Sequence, residues 1–231
     1  MAHKFFITGT DTNVGKTLLA AGLLVKANQL GLSTAAIKPV SAGCETTAEG
    51  LRNGDAVMLQ KYCSMSLPYE QVNPVALKDF IAPHIAAADE KRRLDASRLA
   101  GFCRGVFMQR ADLTVIEGAG GWRVPLNERQ TFAHLAIELQ CPVILVVAMR
   151  LGCLNHALLT AEAIVQDGLP LAGWVANAID PEMERYAENL ESLKSRLPAP
   201  LLGKIPYLEK PAPEALAKYL DLDQLLKNDN P

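Results

Sequence analysis

Short apolar runs alternate with longer stretches of helical periodicity along most of this chain. Six runs, at residues 5–8, 34–37, 113–116, 143–147, 173–176 and 201–205, are apolar at nearly consecutive positions. Such runs are typical of strands that are buried on both faces of a sheet. Residues 18–29 have a helical pattern that stops at Gly31. The alternation predicts a doubly wound α/β fold, with a mostly parallel sheet and helices on both of its faces.

Residues 1–231 are predicted to form a single domain, because no internal repeat, low-complexity tract or long linker interrupts the alternation. A chain of this length buries a core without metal or disulfide staples. In an open parallel sheet, ligands bind beyond the carboxyl ends of the strands. We therefore expect the functional residues directly after the apolar runs.

Composition and charge narrow the possible partners. The formal net charge is -2, which argues against nucleic acid or an anionic membrane surface as the main partner. No secretory signal is visible, and the longest apolar run, residues 143–149, is too short to span a bilayer. The five cysteines form no CxxC pair and are typical of reduced thiols. We expect a cytoplasmic protein without nucleic-acid or membrane partners.

A glycine-bearing turn, residues 9–17 with the sequence GTDTNVGKT, follows the first run and opens a helix. Free backbone N–H groups at such a turn hold phosphates. Lys16 is predicted to reach the β- and γ-phosphates, and the Thr17 hydroxyl to bind Mg²⁺. Strict P-loop spacing would place the leading glycine at Thr10, one position after Gly9. A dinucleotide fingerprint is excluded because position 11 is Asp11. A helix start without a ligand is the alternative.

Two carboxylates are candidate ligands for nucleotide-bound Mg²⁺. Glu117 follows the third apolar run and begins the sequence EGAGG, where glycines allow backbone to approach the γ-phosphate. Few structural reasons place a carboxylate at the buried end of a strand. Asp55 follows the turn-rich sequence RNG, and a turn or cap role is its alternative. The predicted metal ligands are Thr17, Asp55 and Glu117.

Several segments together resemble the dethiobiotin synthetase family. They are GTDTNVGKT at residues 9–17, KPV at 38–40, EGAGG at 117–121, LGCLNHA at 151–157 and GWVAN at 173–177. The likeness keeps the order of the family and runs from the amino terminus to about Tyr207. The phosphate loop alone is shared with other P-loop NTPases, whereas the combination is much more specific.

The resemblance implies a homodimeric Mg²⁺- and ATP-dependent ligase of the P-loop NTPase type. The family closes the ureido ring of dethiobiotin from 7,8-diaminononanoate, CO₂ and ATP, through a carbamate and its phosphorylated anhydride. Lys38 and Lys16 are the implied catalytic residues. Fixed positive groups suit this reaction because it concentrates negative charge on the carbamate and the polyphosphate. By itself, a lysine before proline at a strand end is more typically a solvated loop residue.

The resemblance also assigns contacts to nucleotide and substrate. The implied ATP contacts are Thr12, Asn13, Val14, Gly15, Lys16, Thr17, Asp55, Glu117, Gly118, Ala119, Gly120, Asn177, Pro206, Tyr207 and Leu208. The implied substrate contacts are Ser41, Gly152, Cys153, Leu154 and Asn155, the last four reaching across a dimer interface. The amide of Asn177 suits an adenine edge, although a turn-capping role is equally compatible with the local sequence. An ordinary strand-to-helix loop is the alternative for residues 150–155.

Two positions depart from the family pattern. Ala42 stands where the family often has a substrate-contacting hydroxyl, and the serine comes one position earlier, at Ser41. Asn13 stands where the family often has Glu. A ligase with a related substrate is therefore one alternative. Another is a P-loop ATPase that acts as a partner-binding switch, but the loop lacks the second lysine of such proteins, and the carboxyl end, residues 222–231, is short and polar.

Overall fold

The computed structural model describes residues 2–227, and a six-stranded parallel sheet lies at the centre of the fold. Its strands are β1 (His3–Gly9), β2 (Thr34–Ile37), β7 (Leu113–Gly121), β8 (Val143–Met149), β9 (Leu171–Ala178) and β10 (Leu201–Ile205). They run in the order β10-β9-β8-β1-β7-β2. Two small sheets are formed by β3 (Val40–Ser41) with β6 (Val75–Ala76) and by β4 (Glu45–Thr47) with β5 (Gly50–Arg52).

The helices connect the strands of the central sheet. They are α1 (Lys16–Gln29), α2 (Gly54–Tyr62), α3 (Tyr69–Val72), α4 (Pro83–Asp89), α5 (Ala96–Phe107), α6 (Phe132–Leu139), α7 (Cys153–Gln166), α8 (Tyr186–Arg196), α9 (Pro213–Leu216) and α10 (Leu222–Lys227), with a 3-10 turn at Ala217–Tyr219. From β1 the chain first moves to one side of the sheet and later returns through β8, β9 and β10 to the other. Right-handed crossovers in opposite directions place helices on opposite faces, which makes the fold doubly wound.

All six predicted strands belong to the central sheet, as expected from apolar residues at consecutive positions. Every residue of β8 is buried, and so are the last five residues of β1. Trp174 in β9 is completely buried. None of the helices within residues 2–227 is long and apolar enough to cross a membrane. Residues 228–231 of the predicted polar end lie outside the described part of the chain.

The predicted and observed boundaries differ most at β7. The apolar run ends at residue 116, but the strand continues through the glycine sequence to Gly121. The reason is pairing with β1, which shifts register after Ile7 and resumes with Gly9 opposite Gly121. Glu117 therefore lies in the middle of β7 rather than at its end. The small sheets escaped prediction because strands of two or three residues are too short to show periodicity.

Candidate active site

Three neighbouring strands bring the predicted catalytic residues to one edge of the central sheet. The phosphate loop, residues 9–17, follows β1, Lys38 follows β2, and Glu117 lies in β7. Asp55 lies in the first turn of α2, and its neighbour Asn53 is the residue that caps this helix. The capping role that was the alternative for Asp55 is thus filled by Asn53. The sheet order places β7 between β1 and β2, so all these side chains converge.

The phosphate loop depends on two left-handed backbone positions. Gly15 has φ 91°, and a Cβ there would clash with the side-chain nitrogen of Asn177. Asn13 has φ 58°, a conformation in which Asn is several-fold enriched over most residues. Asn13 therefore suits the conformation of the loop at this position. Gly120 also approaches the loop, since a Cβ there would lie 3.3 Å from Thr12 Oγ1.

Lys16 begins α1 and is buried in the loop. Its Nζ donates to the main-chain oxygen of Asp11 at 2.9 Å. Burial lowers the pKa of Lys16 to about 8, and this effect outweighs the attraction of Glu117. The charge of Lys38 lowers it further. The phosphates of a nucleotide would oppose this shift because they stabilise the charged ammonium.

Glu117 is the centre of the cluster, with only 1% of its surface exposed. Its Oε1 accepts hydrogen bonds from Thr17 Oγ1 at 2.8 Å and from Lys38 Nζ at 2.6 Å. Its Oε2 is buried and has no hydrogen-bond partner among residues 2–227. A buried carboxylate oxygen without a partner costs free energy unless a ligand satisfies it. One oxygen of Glu117 is thus available to a cation or its water.

Lys38 is held between two carboxylates. Its Nζ lies 3.2 Å from Asp55 Oδ2 as well as 2.6 Å from Glu117 Oε1. Burial by itself would lower the pKa of Lys38, but the attraction and hydrogen bonds of Glu117 and Asp55 outweigh burial and raise it. The side chain therefore carries a fixed positive charge. The alternative of a solvated loop lysine does not apply, since Lys38 is only 5% exposed.

The donor set fits a nucleotide-bound magnesium ion better than a protein-only metal site. Within residues 2–227, no group of three or more His, Cys, Asp or Glu side chains could hold a metal. Thr17, Asp55 and Glu117 offer a hydroxyl and two carboxylates, and in the described part of the chain Glu117 Oε2 lacks a partner. Mg²⁺ typically takes one or two carboxylates and completes its shell with phosphate oxygens and waters. The residues present fit this pattern.

A cavity of about 220 Å³ opens beside the phosphate loop. Its lining combines loop residues with residues that follow β9 and β10: Asn13, Gly15, Leu18, Asn177, Ala178, Ile179, Ile205, Pro206, Tyr207, Leu208, Pro211 and Leu216. The amide nitrogen of Asn177 donates to the main-chain oxygen of Val14 at 2.8 Å. Asn177 thus braces the loop, and its role as an adenine contact stays a prediction. All four residues predicted to surround the base line this one cavity.

Residues 150–152 connect β8 to α7, and residues 153–155 form the first turn of that helix. Gly152 has φ 93° and precedes Cys153, where the helix begins. Cys153 is buried, and burial raises the pKa of its thiol, so the side chain is unsuited to act as a nucleophile. Leu151 is 94% exposed, and Asn155 also faces solvent. The substrate contacts assigned to this segment stay predictions.

Ser41 lies in β3 and is 1% exposed. Its hydroxyl donates to Asn73 Oδ1 at 2.7 Å and lies 3.2 Å from Cys44 Sγ. The predicted contact of Ser41 with substrate stays a prediction, and the structure shows its hydroxyl engaged inside the protein. Its partner Asn73 has no role in the sequence-based site. Asn73 was missed because a lone Asn-Pro sequence is typical of turns.

Sequence reasoning also missed two links that surround the site. Arg150 Nη2 lies 2.7 Å from Asp11 Oδ2 and joins the β8–α7 turn to the phosphate loop. Trp122 Nε1 donates to Asp167 Oδ2 at 2.7 Å, and Arg123 also contacts Asp167. The second link fastens the end of the EGAGG segment to the end of α7. Neither pair is close in sequence, so spacing gives no signal for them.

Comparison with known proteins shows both a broad class and a narrow family. A family model described as "AAA domain" matches residues 3–215. In fold, the chain resembles the septum site-determining protein MinD complexed with Mg-ADP from Pyrococcus horikoshii OT3, at a TM-score of 0.59 and 15% identity over 99% of this chain and 95% of that one. It also resembles a ParA family ATPase from Chlorobium tepidum TLS, at a TM-score of 0.55 and 11% identity over 99% and 97%. These structures share the P-loop fold.

Curated relatives are much closer in sequence. ATP-dependent dethiobiotin synthetase BioD of Cellvibrio japonicus is 60% identical, over 96% of this chain and 97% of its own length. The protein of the same name from Pseudomonas aeruginosa (strain UCBPP-PA14) is 59% identical over 96% and 97%. That of Marinobacter nauticus is 50% identical over 98% and 99%. The phosphate loop, Lys38 and Glu117 lie together at one edge of the sheet, and the matches cover nearly the full length of each chain. The chain therefore belongs to the family of ATP-dependent dethiobiotin synthetases.

Proposed function

We propose that the protein is a Mg²⁺- and ATP-dependent ligase that carboxylates 7,8-diaminononanoate with CO₂ and closes the ureido ring of dethiobiotin. The observation that carries the proposal is the cluster of Lys16, Lys38 and Glu117 beside a phosphate loop. Two ammonium groups, one held by the main-chain oxygen of Asp11 and one by Glu117, suit a reaction between a polyphosphate and a carbamate. The names of the full-length relatives support the substrate.

Charge stabilisation is the main contribution of the protein to this reaction. One amine of the substrate adds to CO₂ and loses a proton, which gives a carbamate. A carbamate oxygen attacks the γ-phosphorus, and ADP leaves. The second amine attacks the carbamoyl carbon, loses a proton and displaces phosphate, which closes the ring. Each stage places negative charge on oxygens, and preorganised cations stabilise such charge strongly in a water-excluded site.

The two lysines differ in their settings. Lys38 is buried between Glu117 and Asp55, which raise its pKa, so it stays protonated throughout the reaction. Lys16 lies in the phosphate loop with a lowered pKa of about 8 and donates to a main-chain oxygen. We assign Lys38 to the carbamate and Lys16 to the β- and γ-phosphates. Neither assignment needs Lys38 to leave its carboxylate partners, because an ammonium group has three donors.

Thr17, Asp55 and Glu117 are the residues that would hold Mg²⁺. The ion, bound with the nucleotide, neutralises charge on the phosphate oxygens. Glu117 has one oxygen free for this role while the other accepts from Thr17 and Lys38. Asp55 is about half exposed, so it can reach an ion or its water at the mouth of the site.

We also infer a homodimer in the cytoplasm. The dimer is implied by the resemblance to the family, in which the segment corresponding to residues 150–155 reaches across a dimer interface to the substrate. Leu151 lies in this segment and is 94% exposed. The five cysteines are free thiols, which suits a reducing compartment. Light scattering at assay concentration tests the dimer, and a monomeric mass would contradict it.

The decisive experiment measures ADP release by the purified protein with Mg-ATP, bicarbonate and 7,8-diaminononanoate, omitting each component in turn. ADP release that requires both the diamine and bicarbonate supports the ligase. Lys38→Ala should abolish it. Lys78→Ala is a matched control, because Lys78 is exposed and its side chain has no hydrogen bond or ion pair within residues 2–227. ADP release that ignores the diamine would instead favour a switch ATPase or another substrate.

A further inference from the structure

A closed circuit of polar contacts lies behind the active site and passes through residues that have no direct place in it. The circuit starts at the main-chain oxygen of Lys38 and returns to the Nζ of the same lysine. Its other members are Asn73, Tyr69, Asn53 and Asp55. Asn73 and Tyr69 are buried, with 3% and 7% of their surfaces exposed.

Asn73 forms the first half of the circuit. Its Nδ2 donates to the oxygen of Lys38 at 2.7 Å and to that of Val75 at 3.4 Å. Its Oδ1 accepts from Ser41 Oγ at 2.7 Å and from Tyr69 Oη at 3.1 Å. Both amide donors and both acceptor positions are thus used, which fixes the orientation of the amide. The N–H of Lys38 is held separately, donating to the oxygen of Val72 at 2.7 Å.

Tyr69 and Asn53 form the second half. The Tyr69 hydroxyl accepts from the N–H of Asn53 at 2.7 Å. The Asn53 side chain caps α2 by accepting from the N–H groups of Asp55 and Ala56 at 3.1 and 3.3 Å. Asp55 Oδ2 then lies 3.2 Å from Lys38 Nζ. A single tyrosine hydroxyl therefore connects the backbone of the lysine to the helix that carries its carboxylate partner.

We propose that Asn73 and Tyr69 are positioning residues that hold the Lys38 ammonium and the Asp55 carboxylate in register with each other. Neither residue touches the reacting atoms in this assignment. They act through the main chain of Lys38 and the amino-terminal turn of α2. The inference rests on the proposed function for the roles of Lys38 and Asp55. It gives Asn73 and Tyr69 a reason to be polar in a buried layer where apolar side chains would pack equally well.

The same circuit gives Ser41 a role that does not require substrate. Its only proton is donated to Asn73, and 1% of its surface is exposed. Ala42, at the position that the family often fills with a hydroxyl, carries none. In this chain the hydroxyl of Ser41 supports the amide that holds Lys38. Ser41 thus acts through Lys38, and its removal should affect turnover more than diamine affinity.

Tyr69→Phe is the sharpest test because it removes one oxygen and keeps the ring, including its contact with the Arg52 guanidinium 4.1 Å from the ring centroid. We expect kcat to fall about tenfold, with the KM for the diamine changed less than twofold, as for an interaction that acts in the transition state. We also expect the affinity for ATP, measured calorimetrically, to increase several-fold less on addition of Mg²⁺ than it does in the wild-type protein, because Asp55 is displaced. Ser41→Ala should show a smaller fall in kcat with the same unchanged KM.

Asn28→Ser is the control for a merely structural role. Asn28 also bridges two elements, donating to the oxygen of Tyr62 at 2.9 Å and accepting from Thr34 Oγ1 at 2.8 Å, but neither partner is a member of the circuit. The control should lower the melting temperature while leaving kcat and the Mg²⁺ dependence of ATP binding unchanged. The inference is overturned if Tyr69→Phe keeps the wild-type kcat and the wild-type Mg²⁺ dependence of ATP binding. It is also overturned if Asn28→Ser lowers these two quantities as much as Tyr69→Phe does. ATP binding does not require the diamine, so this readout separates failure of the inference from failure of the proposed reaction.

Discussion

The guanidinium of Arg150 lies 2.7 Å from the carboxylate of Asp11 and ties the β8–α7 turn to the phosphate loop. The other oxygen of Asp11 accepts from the N–H of Thr12 at 2.7 Å. Asp11 is therefore held from both sides, and its main-chain oxygen in turn accepts from Lys16 Nζ. The pair links the segment assigned to the substrate with the segment assigned to the nucleotide.

Removal of this ion pair should weaken nucleotide binding without unfolding the protein. Both side chains are roughly half exposed, at 42% and 48%, so solvent screens the pair. We expect Arg150→Ala to lower the free energy of unfolding by about 1 kcal/mol or less. The KM for ATP should rise about threefold to tenfold, because Asp11, whose main-chain oxygen accepts from Lys16 Nζ, loses its contact with Arg150.

The measurement for the Arg150–Asp11 pair is a double-mutant cycle with Asp11→Asn, using the KM for ATP at low and high salt. A coupling that disappears at high salt identifies the ion pair. Arg185→Ala is a suitable control, because Arg185 contacts Glu188 at 3.0 Å on an exposed surface. An equal rise in KM for the control would contradict the prediction.

Removing Lys38 should destabilise the protein as well as inactivate it. Lys38→Met leaves Glu117 buried without its closest cation, at a site where the carboxylate is 1% exposed. We expect a loss of about 3–5 kcal/mol in the free energy of unfolding, as for a buried ion pair that loses one partner. Urea unfolding of Lys38→Met, Glu117→Gln and the double variant measures it.

Glu117→Gln in the Lys38→Met background should recover most of the lost stability, because the unpaired charge is gone. Activity should stay absent in the double variant. A double variant that is as unstable as Lys38→Met alone would show that packing, rather than charge, holds Lys38 in place.

Replacing glycine by alanine should have different effects in the phosphate loop and at an ordinary helix position. Gly15→Ala should abolish ATP binding, because φ is 91° and a Cβ would clash with the Asn177 amide. Gly105→Ala in α5 is the matched control, since a Cβ there would meet no atom of residues 2–227 within 4 Å beyond the adjacent backbone of its own helix. We expect it to stabilise the helix by about 0.5–1 kcal/mol and to leave ATP binding unchanged. Calorimetric titration with Mg-ATP and thermal unfolding measure both effects.

The sequence predicted the central sheet because its strands are buried on both faces. It also predicted Lys16, Thr17, Lys38, Asp55 and Glu117 as neighbours, since motifs that follow parallel strands meet at one edge of the sheet. The burial of Lys38 could not be predicted locally, because it depends on carboxylates that are distant in sequence: Asp55 and Glu117. The Asn73–Tyr69 circuit escaped for the same reason, because the contacts that close it, from Asn73 to Lys38 and from Asn53 to Tyr69, join residues that are distant in sequence.

The thiols provide a test of burial that is independent of catalysis. Burial raises the pKa of Cys63 to about 12 and also raises the pKa values of the Cys103 and Cys153 thiols. At pH 8 only about one in ten thousand Cys63 thiols would be ionised, and the thiolate is the reactive form. We therefore expect the folded protein to react with a disulfide reagent orders of magnitude more slowly than free cysteine. In urea, all five thiols should react rapidly.

Raising the pH from 8 to 9 should speed the reaction of folded Cys63 about tenfold, because its thiolate fraction grows tenfold below the pKa. Rapid labelling of Cys63 or Cys153 in the folded protein at pH 8 would contradict the raised pKa of that thiol. Rapid labelling of Cys153 would also reopen a nucleophilic role for it.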